Sequence, residues 1–320
     1  MIFKFEPHYF ERVWGGRALE EVLGREIPKN IRIGESWEIV DRTDCQSTLV
    51  DYQDESITLR ELLKSQPHKI MGPGWDEGER FPILVKWLDC TDRLSLQVHP
   101  PSKLAKSLNG EPKTENWYVA HAEAHAGLFV GLKKGKSRKD FIQALEQESL
   151  ETVCHRITSK AGDSILVESG QMHAIDAGNL ILEIQQNSDT TFRVFDWGRE
   201  GTDGLPRKLH IEESLQCIDF DDFEPSVLKE SQSTTQTLAD CDHFRIRKFK
   251  GIKNQTLSLK KANEQCVILN PMGARISVGG NVIEAGNLAL SPFDQECKIT
   301  FLSSGDLIVT DNFYQPASVD

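Results

Sequence analysis

The chain has 320 residues, an ordinary balance of charged and apolar side chains, and a formal net charge of −12. That acidity sets the surface as a whole against nucleic acid and anionic membrane, and solubility is its plain consequence. Seven scattered cysteines, odd in number and without a C-x-x-C pair, exclude a disulfide framework and a thiolate zinc site. The N-terminal stretch lacks the apolar core of a signal peptide, and no uninterrupted apolar run approaches a membrane span. The expectation is a cytoplasmic protein with reduced thiols and no obligate protein partner.

In chain order, the pattern predicts a short helix over "LRELLKS" (59–65), then strands over "FPILVKWLDC" (81–90) and "RLSLQVHP" (93–100). A helical stretch follows at "SKLAKSLN" (102–109), then a strand at "AGLFVGL" (126–132). The clearest helix is "SRKDFIQALEQES" (137–149), with Ser137 able to cap it and Phe141, Ile142 and Leu145 forming a stripe. Strands return at "DSILVESG" (163–170), "LILEIQQ" (180–186) and "TTFRVFDWG" (190–198), followed by a weak helix at "EESLQCI" (212–218). Residues 220–240 are polar, acidic and Ser/Thr-rich and read as a connection. From Cys241 to about Tyr314 the short strands resume. There is no βαβ rhythm and no Gly-rich phosphate loop. Many short strands between turn residues predict a mainly β protein, a sandwich or barrel with helices added to it. The expected division is a catalytic domain over 1–220 and a second β-rich domain over 221–320.

The chemistry concentrates between Leu94 and Val119. In "RLSLQVHP", Leu94, Leu96 and Val98 share one face of a strand, and Gln97 and His99 share the other. The apolar face is expected in the sheet core and the polar face on a cavity, with Pro100 and Pro101 ending the ladder. Glu115 returns after a loop, and "GQMHAI" brings His173 after another strand. Two imidazoles, a carboxylate and an amide oxygen suit a divalent metal with an open position. Zinc, iron, cobalt and manganese all accept this set, and the amide of Gln97 is its weakest member. His121 and His125 have helical i,i+4 spacing, but their stretch leads into a strand and reads as a solvated turn.

Several ordered segments resemble the type I phosphomannose isomerases in their short bacterial form, members of the cupin superfamily. They are "VWGG" (13–16), "IGESWEI" (33–39), "PILVKWLDC" (82–90), "LSLQVHP" (94–100), "KTENWY" (113–118), "GQMHAI" (170–175) and "EIQQNSDTTFRVFDWGR" (183–199). The resemblance is strong over the first two-thirds and loose beyond. It implies a cupin fold: a jelly-roll-like β-barrel with a small helical insertion and a second cupin-like C-terminal unit without metal ligands. It implies one Zn2+ per chain held by Gln97, His99, Glu115 and His173. It makes Arg193 the catalytic arginine and adds Asp189 and Lys113 as active-site residues, with Lys86 as a further family-like position. The departure is "ESG" before His173, where Glu168 stands in place of a usual proline while Gly170 keeps the turn.

The activity implied is interconversion of D-mannose 6-phosphate and D-fructose 6-phosphate through a cis-enediol. Such a reaction needs a proton carrier, oxyanion stabilisation and a hold on the phosphate. If "DTTFRV" is one strand, Asp189, Thr191 and Arg193 share a face, so that Asp189 either carries a proton or orients Arg193. Ser102, Lys103 and Lys86 are the candidates for binding the substrate, Ser102 and Lys103 at its phosphate together with Arg199. The alternatives are an isomerase of another sugar or sugar phosphate, which phosphate dependence would reveal, and a sugar-sensing metal-binding cupin without turnover.

Overall fold

The computed structural model describes residues 2–50, 56–259 and 265–313. Through residue 195 the strands are β1 (His8–Gly16), β2 (Ile33–Ile39), β3 (Ile83–Cys90), β4 (Leu96–Val98), β5 (Glu115–Ala122), β6 (Gly127–Leu132), β7 (Cys154–Thr158), β8 (Ser164–Val167), β9 (His173–Ile175), β10 (Asn179–Gln186) and β11 (Phe192–Phe195). The helices are α1 (Ala18–Glu21), α2 (Leu59–Ser65), α3 (Pro67–Met71), α4 (Ser102–Ala105), α5 (Arg138–Glu146) and α6 (Ile211–Cys217). The fold is mainly β and cupin-like, as the sequence predicts.

One sheet has the order β1-β2-β3-β10-β5-β8 and the second the order β11-β4-β9-β6-β7. Strand alternation sorts their side chains. Trp14, Leu88, Cys90, Trp117, Leu128, Val130, Ile165, Val167, Ile175 and Ile181 form one buried cluster. Leu96, Val98, Phe129, Ala174, Phe192 and Val194 point the other way and pack with Phe141, Ala144, Cys217 and Ile218 from α5 and α6. The apolar face of β4 therefore lies under helices, not in the cluster that holds Leu94. Its polar face is then the one that turns inward, because period-two alternation allows no third choice.

α5 begins where the sequence predicts. Ser137 accepts from Asp140 N–H, and the Asp140 carboxylate accepts from Ser137 N–H, a reciprocal cap that fixes the helix start. The 102–109 stretch is helical only over α4 and one following 3₁₀ turn. In "VWGG" and "IGESWEI", glycine is required by a close crossing of backbones. A Cβ on Gly15 would lie 2.6 Å from Gly34 N, and one on Gly34 would lie 2.5 Å from Arg12 Cβ. That crossing brings Arg12 to Glu35, whose side chains pair at 2.9 Å. Gly15→Ala should therefore cost about 1–3 kcal/mol through overpacking. Urea unfolding checks it, and an unchanged midpoint would remove this explanation of the motif.

The remaining strands are β12 (Thr235–Asp240), β13 (Arg245–Gly251), β14 (Thr256–Leu259), β15 (Val267–Met272), β16 (Ile276–Val278), β17 (Asn281–Ile283), β18 (Ala289–Ser291), β19 (Cys297–Phe301) and β20 (Gly305–Asp311). They form sheets of order β12-β13-β20-β15-β18 and β14-β19-β16-β17, with a core that includes Leu269, Ile276, Val278, Ile299, Phe301 and Val309. The chain forms two compact units that are discontinuous in sequence. One holds the described residues of 1–8, 37–85 and 231–320, and the other holds 9–36 and 86–230. A linear division at 220/221 instead groups residues 1–8 and 37–85 with the catalytic part. Long-range pairing decides otherwise: Phe3 bridges Leu290, and Phe293 N–H donates to Ile70 O.

Candidate functional site

Strand register assembles the site. Gln97 on β4 stands opposite His173 on β9 and opposite Arg193 on β11. In the other sheet Glu115 on β5 stands opposite Gln185 on β10, and Trp117 opposite Glu183. Each row puts its side chains on one face, so the two rows converge from facing sheets. Gly170, at φ +95°, turns the chain into β9 where a β-substituted residue would be strained. Glu168 nearby is exposed and is not among the residues lining the cavity described below.

His99, Glu115 and His173 are fully buried, and one ligand atom from each lies within 4.8 Å of the others. The two imidazoles are aimed by their other nitrogens. His99 Nδ1 donates to Thr190 O and His173 Nδ1 donates to Gln171 O, each at 2.8 Å. The Nε2 lone pairs are left facing Glu115, at 3.3 Å for His99 and 3.5 Å for His173. His99 Nε2 and Glu115 Oε1 are buried without a hydrogen-bond partner. Buried polar atoms are rarely left so, and unspent ligand atoms gathered in one buried cluster fit a cation. Burial, reinforced by Lys113, pushes His99 down to about 3. Burial also lowers His173, so both rings are neutral and able to ligate. Burial pushes Glu115 up, but Lys113 and the imidazoles outweigh it and hold the carboxyl ionised. Gln97 turns its amide nitrogen toward His173 Nε2, at 3.3 Å, so its oxygen reaches a cation only after the amide rotates.

Around this triad runs an alternating chain of charges. Lys113 Nζ lies 2.6 Å from Glu115 and 3.7 Å from Glu183. Lys86 Nζ lies 4.0 Å from Glu183, 4.0 Å from Glu35 and 3.5 Å from Asp189. Burial would lower Lys113, but Glu115 and Glu183 outweigh it and keep the ammonium charged. Glu183 is raised, first by burial and then by the nearby Glu115 charge, while Trp117 Nε1 donates to its Oε2 at 2.9 Å. A cavity of ≈ 530 Å³ is lined by Lys86, Gln97, Lys113, Glu183, Asp189 and Arg193, and also by Arg12, Glu35, Thr202, Arg207 and His210. That volume lies within the range of about 300–1,000 Å³ usual for small-ligand pockets.

Most residues singled out from sequence meet here: Lys86, Gln97, His99, Lys113, Glu115, His173, Asp189 and Arg193. Asp189 precedes β11 instead of lying on it, so no shared strand face aligns it with Arg193; it faces Lys86 with 47% of its side chain exposed. Ser102 and Lys103 are exposed on α4 and are not among the residues lining the cavity. His121 and His125 are exposed, and Trp14, Trp37 and Trp117 are core residues. Among the described residues, no metal-binding group was found in the second unit. Sequence reasoning missed Glu183, although "EIQQ" alternates and Glu183 falls on the same face as Gln185. It also missed Arg12, Thr202, Arg207 and His210, which reach the cavity from distant loops and strands without a local motif.

The comparisons agree with this geometry. The family model described as "Phosphomannose isomerase type I, catalytic domain" matches residues 2–123. Mannose-6-phosphate isomerase ManA of Bacillus subtilis is 34% identical over 279 residues, covering 85% of this chain and 87% of that protein. The mannose-6-phosphate isomerase of Streptococcus mutans is 37% identical over 209 residues, 65% of each chain. The crystal structure of the mannose 6-phosphate isomerase from Bacillus subtilis matches with a TM-score of 0.83 at 27% identity, covering 97% of this chain and 99% of that one. The ordered motifs, the facing cupin sheets and these relatives together show that the chain belongs to the type I phosphomannose isomerase family.

Proposed function

We propose that this chain is a zinc-dependent aldose–ketose isomerase that interconverts D-mannose 6-phosphate and D-fructose 6-phosphate through a cis-enediol. The observation that carries the reading is the pair of buried, unbonded ligand atoms, His99 Nε2 and Glu115 Oε1, in a triad touched by Lys113 and Gln97, which line a cavity with further acid–base groups, in a chain of this family. His99, Glu115 and His173 would hold the ion, with Gln97 as a fourth ligand after its amide turns. Neutral imidazoles and one carboxylate suit zinc. When bound, a divalent ion supplies Lewis acidity toward the C1 and C2 oxygens.

The chain's own residues do the rest. Glu183 takes the C2 proton of the open-chain aldose and returns it to C1. Its carboxyl is raised toward working pH by burial and by Glu115, the condition an efficient general base requires. The Lys113 ammonium and the Arg193 guanidinium stabilise the negative charge that develops on the enediolate oxygens. Both are oriented in advance, so no solvent reorganisation is needed at the moment of reaction. Lys86 binds substrate hydroxyls, and Asp189 positions Lys86. No described helix is long and apolar enough to cross a membrane. The cysteines form no disulfide among the described residues, in keeping with the reduced thiols of the cytoplasmic setting we propose.

The test is to purify the protein, measure its bound metal, and follow fructose 6-phosphate formed from mannose 6-phosphate. A folded, zinc-replete sample without turnover would sink the proposal. Glu183→Gln should lower kcat by about 10²–10⁴ with metal content unchanged. A near-normal rate would remove the proton step from Glu183 and leave Asp189 to be tried next.

A further inference from the structure

Trp117 is a buried core residue whose one polar atom is spent on the site. Period-two alternation on β5 puts Trp117 on the same face as Glu115. Across the sheet it stands opposite Ile165 of β8 on one side and Glu183 of β10 on the other. The indole therefore sits at a boundary. Its ring belongs to the cluster that holds Leu88, Val130, Ile165 and Ile181, and its Nε1–H donates to Glu183 Oε2 at 2.9 Å. The same ring meets His173 edge-on, with centroids 5.4 Å apart and planes at 76°. One side chain thus touches both the proposed base and a proposed metal ligand.

The hydrogen bond divides the Glu183 carboxylate. Oε2 is tied to the indole. Oε1 is the oxygen turned to the two ammonium groups, 3.7 Å from Lys113 Nζ and 4.0 Å from Lys86 Nζ. Those separations attract but are too long for a hydrogen bond, so they fix no direction. Among the described residues the indole N–H is the one directional hold on this carboxylate. The last torsion of a glutamate is broad and roughly two-fold, so a carboxylate without such a hold samples many orientations. A phenylalanine would fill the same apolar cluster with no polar atom to satisfy. A buried tryptophan N–H needs an acceptor, and here the acceptor is the carboxylate that lines the cavity.

We infer that Trp117 is a positioning residue for proton transfer: its indole N–H pins Oε2 of Glu183 so that Oε1 is the oxygen presented to C1 and C2 of the sugar. The inference rests on the isomerase reading above, with Glu183 as the base. The proton leaves one carbon and returns to its neighbour. A single oxygen serves both positions only if the carboxylate keeps its plane while it holds the proton. The contact of the same ring with His173 fixes that plane relative to the triad.

The test uses the metal-loaded full chain. Trp117→Phe keeps an aromatic ring beside Ile165 and His173 and removes the N–H. It should lower kcat by about tenfold to a hundredfold, the scale on which a misplaced group slows a reaction, with KM within about threefold and metal content unchanged. The primary isotope effect with 2-deuterated mannose 6-phosphate should rise, because proton transfer becomes the slower step. A merely structural role would lower the active fraction and leave the isotope effect where it was. The double variant Trp117→Phe/Glu183→Gln should be no slower than Glu183→Gln alone, since residues acting as a unit are not additive. A further fall by the full factor of Trp117→Phe would overturn the inference, as would parental kcat and isotope effect in a folded Trp117→Phe. Indole N–H signals of ¹⁵N-labelled protein separate this from the isomerase reading, because they need no turnover. One of the six tryptophan signals should move in Glu183→Gln, since a neutral amide accepts more weakly than a carboxylate. That variant keeps Trp117 in place, so it decides the matter even if Trp117→Phe folds poorly. A moving signal supports the contact in a protein without turnover, and six signals unchanged by Glu183→Gln overturn it with or without turnover.

Discussion

His173→Ala should abolish metal binding and turnover together, with kcat falling by about a thousandfold or more. The reason is the geometry of the triad. His173 Nδ1 is spent on Gln171 O, so its Nε2 has no other task than to face Glu115, and Gln97 leans on the same nitrogen. Removing the ring would remove one of the two proposed imidazole ligands and free Gln97 as well. The several kcal/mol that a Lewis acid contributes to such a transition state, taken as ~4, corresponds to about three orders of magnitude in rate. Metal analysis of the purified variant beside a coupled fructose 6-phosphate assay measures both losses. Full metal occupancy in the variant would mean that His173 is not a ligand. Stripping the parent protein with a chelator should reproduce the loss of activity, and adding zinc back should restore it.

Arg193→Ala should separate what His173→Ala combines. Metal stays, because Arg193 touches none of the three ligands, but kcat/KM should fall by about 10²–10³, the scale for losing a preorganised donor to a developing oxyanion. Arg193→Lys should recover little of this. An ammonium cannot donate to Lys208 O and present further N–H groups in the same planar fork. Near-normal turnover in Arg193→Ala would remove Arg193 from the reaction. Its loss should also loosen the loop at Lys208, which the side chain holds, while the backbone bonds between residue 193 and His210 remain.

The candidate ligands Gln97, His99 and His173 could be read from sequence because each sits where local pattern fixes direction. Gln97 and His99 are two apart on alternating chain, and Leu96 and Val98 between and beside them demand the opposite face. His173 follows a glycine turn. The α5 cap could be read for the same reason, since Ser137 and Asp140 are three residues apart and act on each other's backbone. Glu183 lay in a recognised motif yet carried no signal of its role. What would fit it for a base is burial and the charge of Glu115, some seventy positions away in sequence, and neither is visible in the local pattern. Asp189 shows the opposite failure: alternation extended past the true start of β11, and the side chain turned to Lys86 instead.

Sequence by itself therefore determined the fold class, the four candidate ligands and the presence of Lys113 and Arg193, all of them matters of local periodicity and ordered motifs. Tertiary structure alone decided which nitrogen of each histidine faces the site, that Ser102 and Lys103 lie away from the cavity, and that residues 37–85 pack with the C-terminal strands. It also decided that the loop after β11 carries Arg207 and His210 to the cavity that Arg193 lines. The physical reason is common to all of these. Tautomer, charge compensation and cavity walls depend on partners supplied by distant strands, and a linear pattern records direction along the chain but not what waits on the other side.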